Sequence, residues 1–371
     1  MMHYRYEDND VIFDIPLKGN QIYLIGTFTN WQKKDRFKFL ILGDRLCLRT
    51  SRQAVNKIGN SGYIEYYLWD DERQQPIPFN NNYPAGYCFN NQFNGSYNYL
   101  LLPEDISDDE LGNIIQHSKN SFRIKSVASD FESDQMLANF REVKGGKLAK
   151  ERLFRSYHPV IPSRDEHPQL REIEIQRQQK AMQLLEYNQI RTVINLSETA
   201  QELADYLHHA ESSYYKTLWL DDHIVNVPVA YETVYFMSDR DESFNPDELG
   251  FQTGIRAVIN HIADHQGPYH VHCRLGSDRT GVVVAFLQLF MGADKGQIKQ
   301  NYLQTNNMAI GEFRSFRLLE HALTQALGPG GFENGHQVIR EYLFSLGLPC
   351  EIIEQAYRHL VGDEHESVVA I

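Results

Sequence analysis

The sequence predicts a small all-β sandwich followed by an α/β domain with a central, mostly parallel sheet flanked by helices. Three observations carry that prediction. Short apolar runs separated by Gly, Asn and Pro clusters fill residues 1–105, at strand length and spacing. Over residues 151–361, stretches of helical periodicity lead into short apolar strands, the alternation of α/β units. Between the two, residues 106–150 are rich in acidic and polar side chains and read as a linker with room for one helix.

Taken in order, the first part offers strands at Val11–Ile15, Gln21–Ile25, Phe37–Ile41, Leu46–Leu48, Tyr63–Trp69 and Tyr97–Leu101. Residues 80–97, dense in Asn, Gly, Tyr and Phe, read as a long loop or irregular hairpin. The second part opens near Leu153. Ile173, Ile175, Ala181, Leu184 and Leu185 recur at helical spacing through Glu172–Tyr187 and lead into a strand at Thr192–Leu196. His223–Val229 is a further strand. A helix starting at Asn245-Pro246 carries Leu249, Ile255, Val258, Ile259 and Ile262 on one face. Past residue 290, Ile298–Leu303 reads as a helix, and Gly347-Leu348-Pro349 separates two short amphipathic helices within His336–Leu360. Residues 362–371 form an acidic tail expected to fray.

The whole chain narrows the function classes. Its 371 residues exceed one ordinary domain. A formal charge of −13 argues against general nucleic-acid binding, so any attraction for an anionic ligand must be local. No apolar run approaches the roughly 20 residues of a membrane span. The segment Met1–Tyr6 lacks the apolar centre of a secretory signal, and a soluble, cytoplasmic protein is expected. Cys47, Cys88, Cys273 and Cys350 have neither metal nor disulfide spacing, which suits a reducing compartment; no metal or cofactor is implied.

The chemistry concentrates in Tyr269–Gly281, which reads as strand, tight loop and helix: an alternating strand through His272, then Cys273-Arg274-Leu275-Gly276-Ser277-Asp278-Arg279, then Thr280-Gly281 and an apolar helix. The first N–H groups of a helix have no internal partner, so such a loop is a ready anion cradle. Arg279 can grip two oxygens of a phosphate in a fork while the amides of Arg274, Leu275, Gly276 and Ser277 line the rest. A helix N-terminus and a nearby cation favour the thiolate form of a cysteine, which makes Cys273 the candidate nucleophile.

This stretch resembles the signature loop of the cysteine-dependent protein tyrosine and dual-specificity phosphatases. Asp278-Arg279-Thr280-Gly281 looks like their bacterial tyrosine and lipid phosphatase branch. Leu153-Phe154-Arg155-Ser156, Tyr302-Leu303 and the ending around Tyr342–Leu348 are similar to that branch as well, so the resemblance spans roughly residues 150–360. It implies phosphomonoester hydrolysis through a phosphocysteine, with His272 ordering the loop and helping to keep the thiolate ionised, and Thr280 donating its hydroxyl to sulfur. Two places compete for the acid that protonates the leaving oxygen: Asp278, as in the relatives it resembles, and the loop holding Asp239, Asp241 and Glu242 ahead of the Asn245-Pro246 helix. The resemblance favours Asp278, while the acidic residues ahead of that helix also suit ordinary caps. The implied substrates are phosphoproteins, phosphoinositides or inositol phosphates. Lipid-preferring relatives often carry a lysine in this loop, and here only Arg274 adds positive charge.

Ile25–Trp31 together with Tyr66–Asp71 and Pro76 resembles the glycogen-binding module of an early-set immunoglobulin-like family. Where that family supplies a further stacking aromatic, Glu72, Arg73 and Gln74 stand here. Trp31, Tyr67 and Trp69 could stack on sugar, although residues of this kind on a small sandwich are more often core. A module of this type joined to such a phosphatase would match laforin-like glucan phosphatases, so a glucan is the second implied partner. A phosphate-binding pseudophosphatase is the third reading. An acidic tail before an apolar end is also the composition of a bacterial export signal, which would make the protein an effector in a host cytosol.

Overall fold

The computed structural model describes residues 2–90, 97–119, 125–210, 212–230, 249–309 and 313–362. The chain divides into two units: Met1–Ile124 with Ala309–Leu318, and Lys125–Met308 with Leu319–Ile371.

The first unit is strand-rich. One antiparallel sheet has the order β1 (Tyr4–Glu7), β2 (Asp10–Pro16), β5 (Arg45–Ser51), β4 (Leu40–Leu42). The other runs β3 (Ile22–Gly26), β6 (Ile64–Asp70), β9 (Tyr97–Leu101), β8 (Cys88–Asn90), with β7 (Gln75–Pro76) added to β6. Alternation along the strands supplies the core. Val11, Phe13 and Ile15 of β2, Leu24 of β3, Tyr66 and Leu68 of β6 and Leu101 of β9 meet in one apolar cluster. The other face of β6 holds Tyr67 and Trp69, both half-buried, while Trp31 beyond β3 is 42% exposed. Trp31 is therefore not core.

Several local expectations shift. Phe37 lies in a short 3-10 turn, and the strand begins only at Leu40. The stretch 80–97 contains β8, paired antiparallel to β9. The stretch 106–150, expected as a linker, carries α1 (Asp108–Lys119), whose Ile114 packs with Tyr63, Phe89, Leu100 and Phe313. Its remainder, from Lys125, belongs to the second unit: α2 (Asp134–Leu137), then β10 (Arg141–Glu142), which pairs with the second unit's sheet. Apolar residues too sparse for a period still bury when each meets a preformed surface.

The second unit orders its sheet β10, β11 (Leu153–Ser156), β14 (Tyr269–His272), β12 (Thr192–Asn195), β13 (Ile224–Asn226). β14 pairs in parallel with β11 and β12, β12 pairs in parallel with β13, and β10 is antiparallel to β11. The helices are α3 (Arg171–Tyr187), α4 (Ala200–His209), α5 (Tyr214–Leu220), α6 (Phe251–Asp264), α7 (Asp278–Phe290), α8 (Lys295–Leu303), α9 (Phe316–Leu327), α10 (Gly335–Ser345) and α11 (Cys350–Val361). Leu249 is not on a helical face: it bridges to Val229, and α6 starts at Phe251. Asp239, Asp241, Glu242, the Asn245-Pro246 start and the tail beyond Gly362 lie outside the described residues.

The register positions the site. Ser156 and Asn195 both pair with His272, so the carboxyl ends of β11, β14 and β12 lie level. Open parallel sheets place ligand sites at that edge, because side chains and loops from several strands converge there. Cys273, Tyr157-His158 and Leu196–Glu198 all emerge at it. α7 runs back from the loop almost wholly buried, which fixes its N-terminus against the sheet. Among the described residues no helix is long and apolar enough to cross a membrane.

Candidate active site

Cys273 follows β14 and is 4% exposed. The loop turns sharply at Gly276, whose φ is +68°. A Cβ built there would lie 2.1 Å from Ser156 O, so only glycine fits against the end of β11. Ser277 stands at the N-cap position of α7 without a side-chain capping bond, and Asp278 opens the helix, 8% exposed in the first turn.

The loop is held from behind, carbonyl by carbonyl. Arg274 O accepts His158 N–H at 3.1 Å. Leu275 O and Gly276 O accept the Asn139 amide at 3.1 and 3.2 Å. Arg155 Nη2 donates to Gly276 O at 2.7 Å and to Ser277 O at 3.3 Å. In a trans peptide the C=O and the following N–H point in opposite directions. With the carbonyls of 274–277 all turned outward, the amides of Leu275, Gly276, Ser277 and Asp278 face the other side of the loop. Amides on one side of a loop at the start of a 13-residue helix are the kind of donor set a tetrahedral anion needs.

Two buried arginines stand behind this arrangement. Arg155 is fully buried and also donates to Asn301 Oδ1 at 2.8 Å. Arg141 bonds Asn139, Asn301 O at 2.8 Å and Thr305 Oγ1 at 3.1 Å. Burial, then the Arg155 charge beside it, push Arg141 well below the ordinary arginine range. Oxygen acceptors offset that cost.

Arg279 is half-buried, and its Nη1 donates to Leu196 O at 3.0 Å, which fixes the guanidinium at the end of β12. Leu196 N in turn donates to His272 O at 2.9 Å. His272 lies with its Nε2 2.9 Å from the Tyr215 hydroxyl. Burial, then the neighbouring His158 and His270, push His272 well below the ordinary histidine range, so at neutral pH it contributes hydrogen bonds and no charge. The Thr280 hydroxyl is buried with no hydrogen-bond partner among the described residues, a donor not committed elsewhere.

Sequence reasoning brought together Cys273, His272, Arg274–Ser277, Asp278, Arg279 and Thr280, which are contiguous. The Arg274 guanidinium pairs with Glu198, with Nε 3.0 Å from Oε1. Burial alone would raise the Glu198 carboxyl, but His158 and Arg274 hold it below the ordinary carboxylate value. Trp219 packs against the apolar cluster of the second unit. Asn139, Arg141, His158, Glu198 and Asn301 were missed, since each comes from a different element and none sits in a local pattern.

A family model described as the tyrosine phosphatase family matches residues 135–360. Among curated proteins no relative matches the chain.

Proposed function

We propose, because this chain belongs to the tyrosine phosphatase family, that it hydrolyses phosphomonoesters through a phosphocysteine on Cys273. The observation that supports this reading is the row of loop carbonyls pinned from behind, which leaves the Leu275–Asp278 amides on the opposite side of the loop. In the first step the Cys273 thiolate forms a bond to phosphorus and the bond to the leaving oxygen breaks. The loop amides and Arg279 hold the three equatorial oxygens throughout. The leaving oxygen takes a proton from a carboxylic acid. We assign that acid to Asp278, with Asp239 as the rival. In the second step the same carboxylate takes a proton from water as it attacks phosphorus, and the thiolate leaves, stabilised by the Thr280 hydroxyl. His272 orders the strand end. Phosphotyrosine and inositol phosphates, free or on lipid, are the proposed substrates, and a reducing cytosol, including that of a host cell, is the proposed setting.

A panel of phosphopeptides, phosphoinositides, inositol phosphates and phosphorylated glucan tests the reading, with p-nitrophenyl phosphate as a general reporter. Turnover abolished by Cys273→Ser is expected; no turnover of any of them would leave a phosphate-binding pseudophosphatase. For the acid, Asp278→Asn should remove the basic limb of the pH–rate profile on a poor leaving group and cost less on a good one. If Asp239→Asn does this instead, the assignment moves there.

A second reading has its own observation. In the first unit, which we read as an immunoglobulin-like sandwich, a groove of about 780 Å³ is lined by Trp31, Tyr67, Phe79, Tyr97, Asn81 and Asn98 among others. Trp31 and Tyr67 stack with ring planes 5° apart. Flat aromatic faces interleaved with amides, and no charged lining residue among those described, suit a neutral glucan chain. Joined to the first reading this makes a glucan phosphatase. Retention on amylopectin beads, lost in Trp31→Ala, is the expected result; a chain that passes through unretained is not one.

A further inference from the structure

The strand β4 lies at an edge of the first unit's β1-β2-β5-β4 sheet, and nothing in its sequence protects that edge. Leu40, Ile41 and Leu42 are 67%, 44% and 60% exposed, three consecutive aliphatic side chains with no charge among them. Sheet edges are ordinarily guarded by lysine, proline or a bulge, because their unpaired N–H and C=O groups are a template for another strand. The register shows which groups are unpaired. β4 joins β5 through the two-residue turn Gly43-Asp44, with Leu42 opposite Arg45, Ile41 opposite Leu46 and Leu40 opposite Cys47. The pair that closes such a turn is hydrogen-bonded, and bonded pairs alternate along the ladder. Leu40 and Leu42 therefore bond to β5, and the Ile41 N–H and C=O point outward. The same parity holds at Phe39, whose N–H turns from β5 and donates to Ile22 O of β3 at 2.9 Å. That bond ends the free edge on one side. Gly43 ends it on the other, at a φ of +63° and with nothing within 4 Å of a Cβ built there.

A free edge this short fits a second copy of itself. Aligned antiparallel about Ile41, two β4 strands exchange a pair of Ile41 N–H···O=C bonds. Leu40 of one copy then stands opposite Leu42 of the other on the face they share, and the two Ile41 side chains meet on the opposite face. The same alignment sets Lys38 of one copy opposite Asp44 of the other. Both residues are exposed. Among the described residues neither forms an ion pair: Lys38 Nζ lies 5.6 Å from the Tyr23 ring, and Arg45, next to Asp44, is paired with Asp14. Two Lys38–Asp44 pairs would thus flank the apolar contact. The Gly43 turn, which has no side chain, is what then faces the Ile22–Phe39 junction of the second copy. The arrangement is two-fold and occupies the free edge of both copies, so it closes as a dimer and does not grow into a filament. We infer that β4 is a homodimer contact, centred on Ile41 and held in register by Lys38 and Asp44. Three aliphatic residues per copy place it in the weak class of interfaces, below roughly 1,200 Å² in total, with a dissociation constant on the order of 10–100 µM.

The test is sedimentation velocity of the full chain over concentrations that bracket that dissociation constant. Monomer should give way to dimer, with no larger species. Ile41→Lys should weaken the dimer on the order of a hundredfold, since it sets like charges against each other at the two-fold axis. Lys38→Asp and Asp44→Lys should each weaken it severalfold, and the variant carrying both should recover most of that loss, because the opposed charges are restored in reverse. Far-UV circular dichroism checks that each variant is folded. The two charge reversals sit on exposed positions outside the strand and decide the question even if Ile41→Lys does not fold. A double variant no better than the single ones, a dimer indifferent to all of these changes, or open-ended growth overturns the proposal. A monomer at every concentration overturns it as well and leaves the edge to an extended peptide of another protein.

Discussion

On the two readings proposed for them, the loop after β14 and the groove beside β6 would solve recognition in opposite ways. The loop presents main-chain amides, and its outward carbonyls are paired from behind by Asn139, Arg155 and His158. The groove presents side chains on the outer face of a sheet, with aromatic rings and amides and no charged member among the described lining residues. The difference teaches what each ligand demands. A dianion requires rigid donors whose opposite ends are already satisfied, so the cost lies in buried polar support. A neutral ring system needs only faces to stack on, which an exposed strand face supplies without disturbing the core.

If that contrast is right, the loop should be fragile to changes behind it. The largest effect is expected from Arg155→Leu, which strips donors from Gly276 O, Ser277 O and Asn301 Oδ1 in a fully buried place. We expect about 3 kcal/mol of lost stability by urea unfolding; a loss under about 1 kcal/mol would say the carbonyls find other partners. Gly276→Ala comes next. Its φ of +68° and the 2.1 Å approach to Ser156 O force the loop to move, and kcat should fall on the order of a hundredfold. Unchanged kcat would mean the amide row is not what binds the anion.

Acid should act on the same support. Burial, then the His158 ring, push His270 down to about 3, and His272 moves the same way. The unfolded chain therefore binds more protons between the ordinary histidine value of about 6.5 and about 3, and stability must fall as pH drops through that window. Glu198, held low by His158 and Arg274, adds to the loss below the ordinary carboxylate range. Urea midpoints that stay flat from neutral pH down to the middle of that window would contradict the neutral, buried state of these rings. The smallest effect is expected in the groove. Trp31 is 42% exposed, so Trp31→Ala should cost about 0.5 kcal/mol of stability at most while lowering affinity for a maltooligosaccharide by about 1–2 kcal/mol. A large stability loss would make Trp31 a packing residue and erase the contrast.

How much of this was legible in the sequence follows from the same physics. The loop was legible because the chemistry needs its parts consecutive: a strand to deliver Cys273, a glycine at the turn, and a helix start at Asp278. Its support was not, because Asn139, Arg155, Glu198 and Asn301 come from four separate stretches joined only by the sheet register and α8. Arg155 could be seen entering on a strand, but nothing local said that it would reach Gly276 O. The parity of β6 gave a partial signal in the first unit, since Tyr66 and Leu68 alternate with Tyr67 and Trp69. Which face is core is decided by the partner strands, and that is not local information. Residues 106–150 read as a linker because α1 and β10 bury few apolar side chains each and owe their order to surfaces built elsewhere.

The central claim is that phosphorus passes through the Cys273 sulfur. Rapid acid quench of the enzyme with radiolabelled aryl phosphate, followed by peptide mapping, tests it directly. The account predicts label on the peptide carrying Cys273, acid-stable and absent from Cys273→Ser. Turnover without a labelled peptide, or label on any other residue, would contradict it.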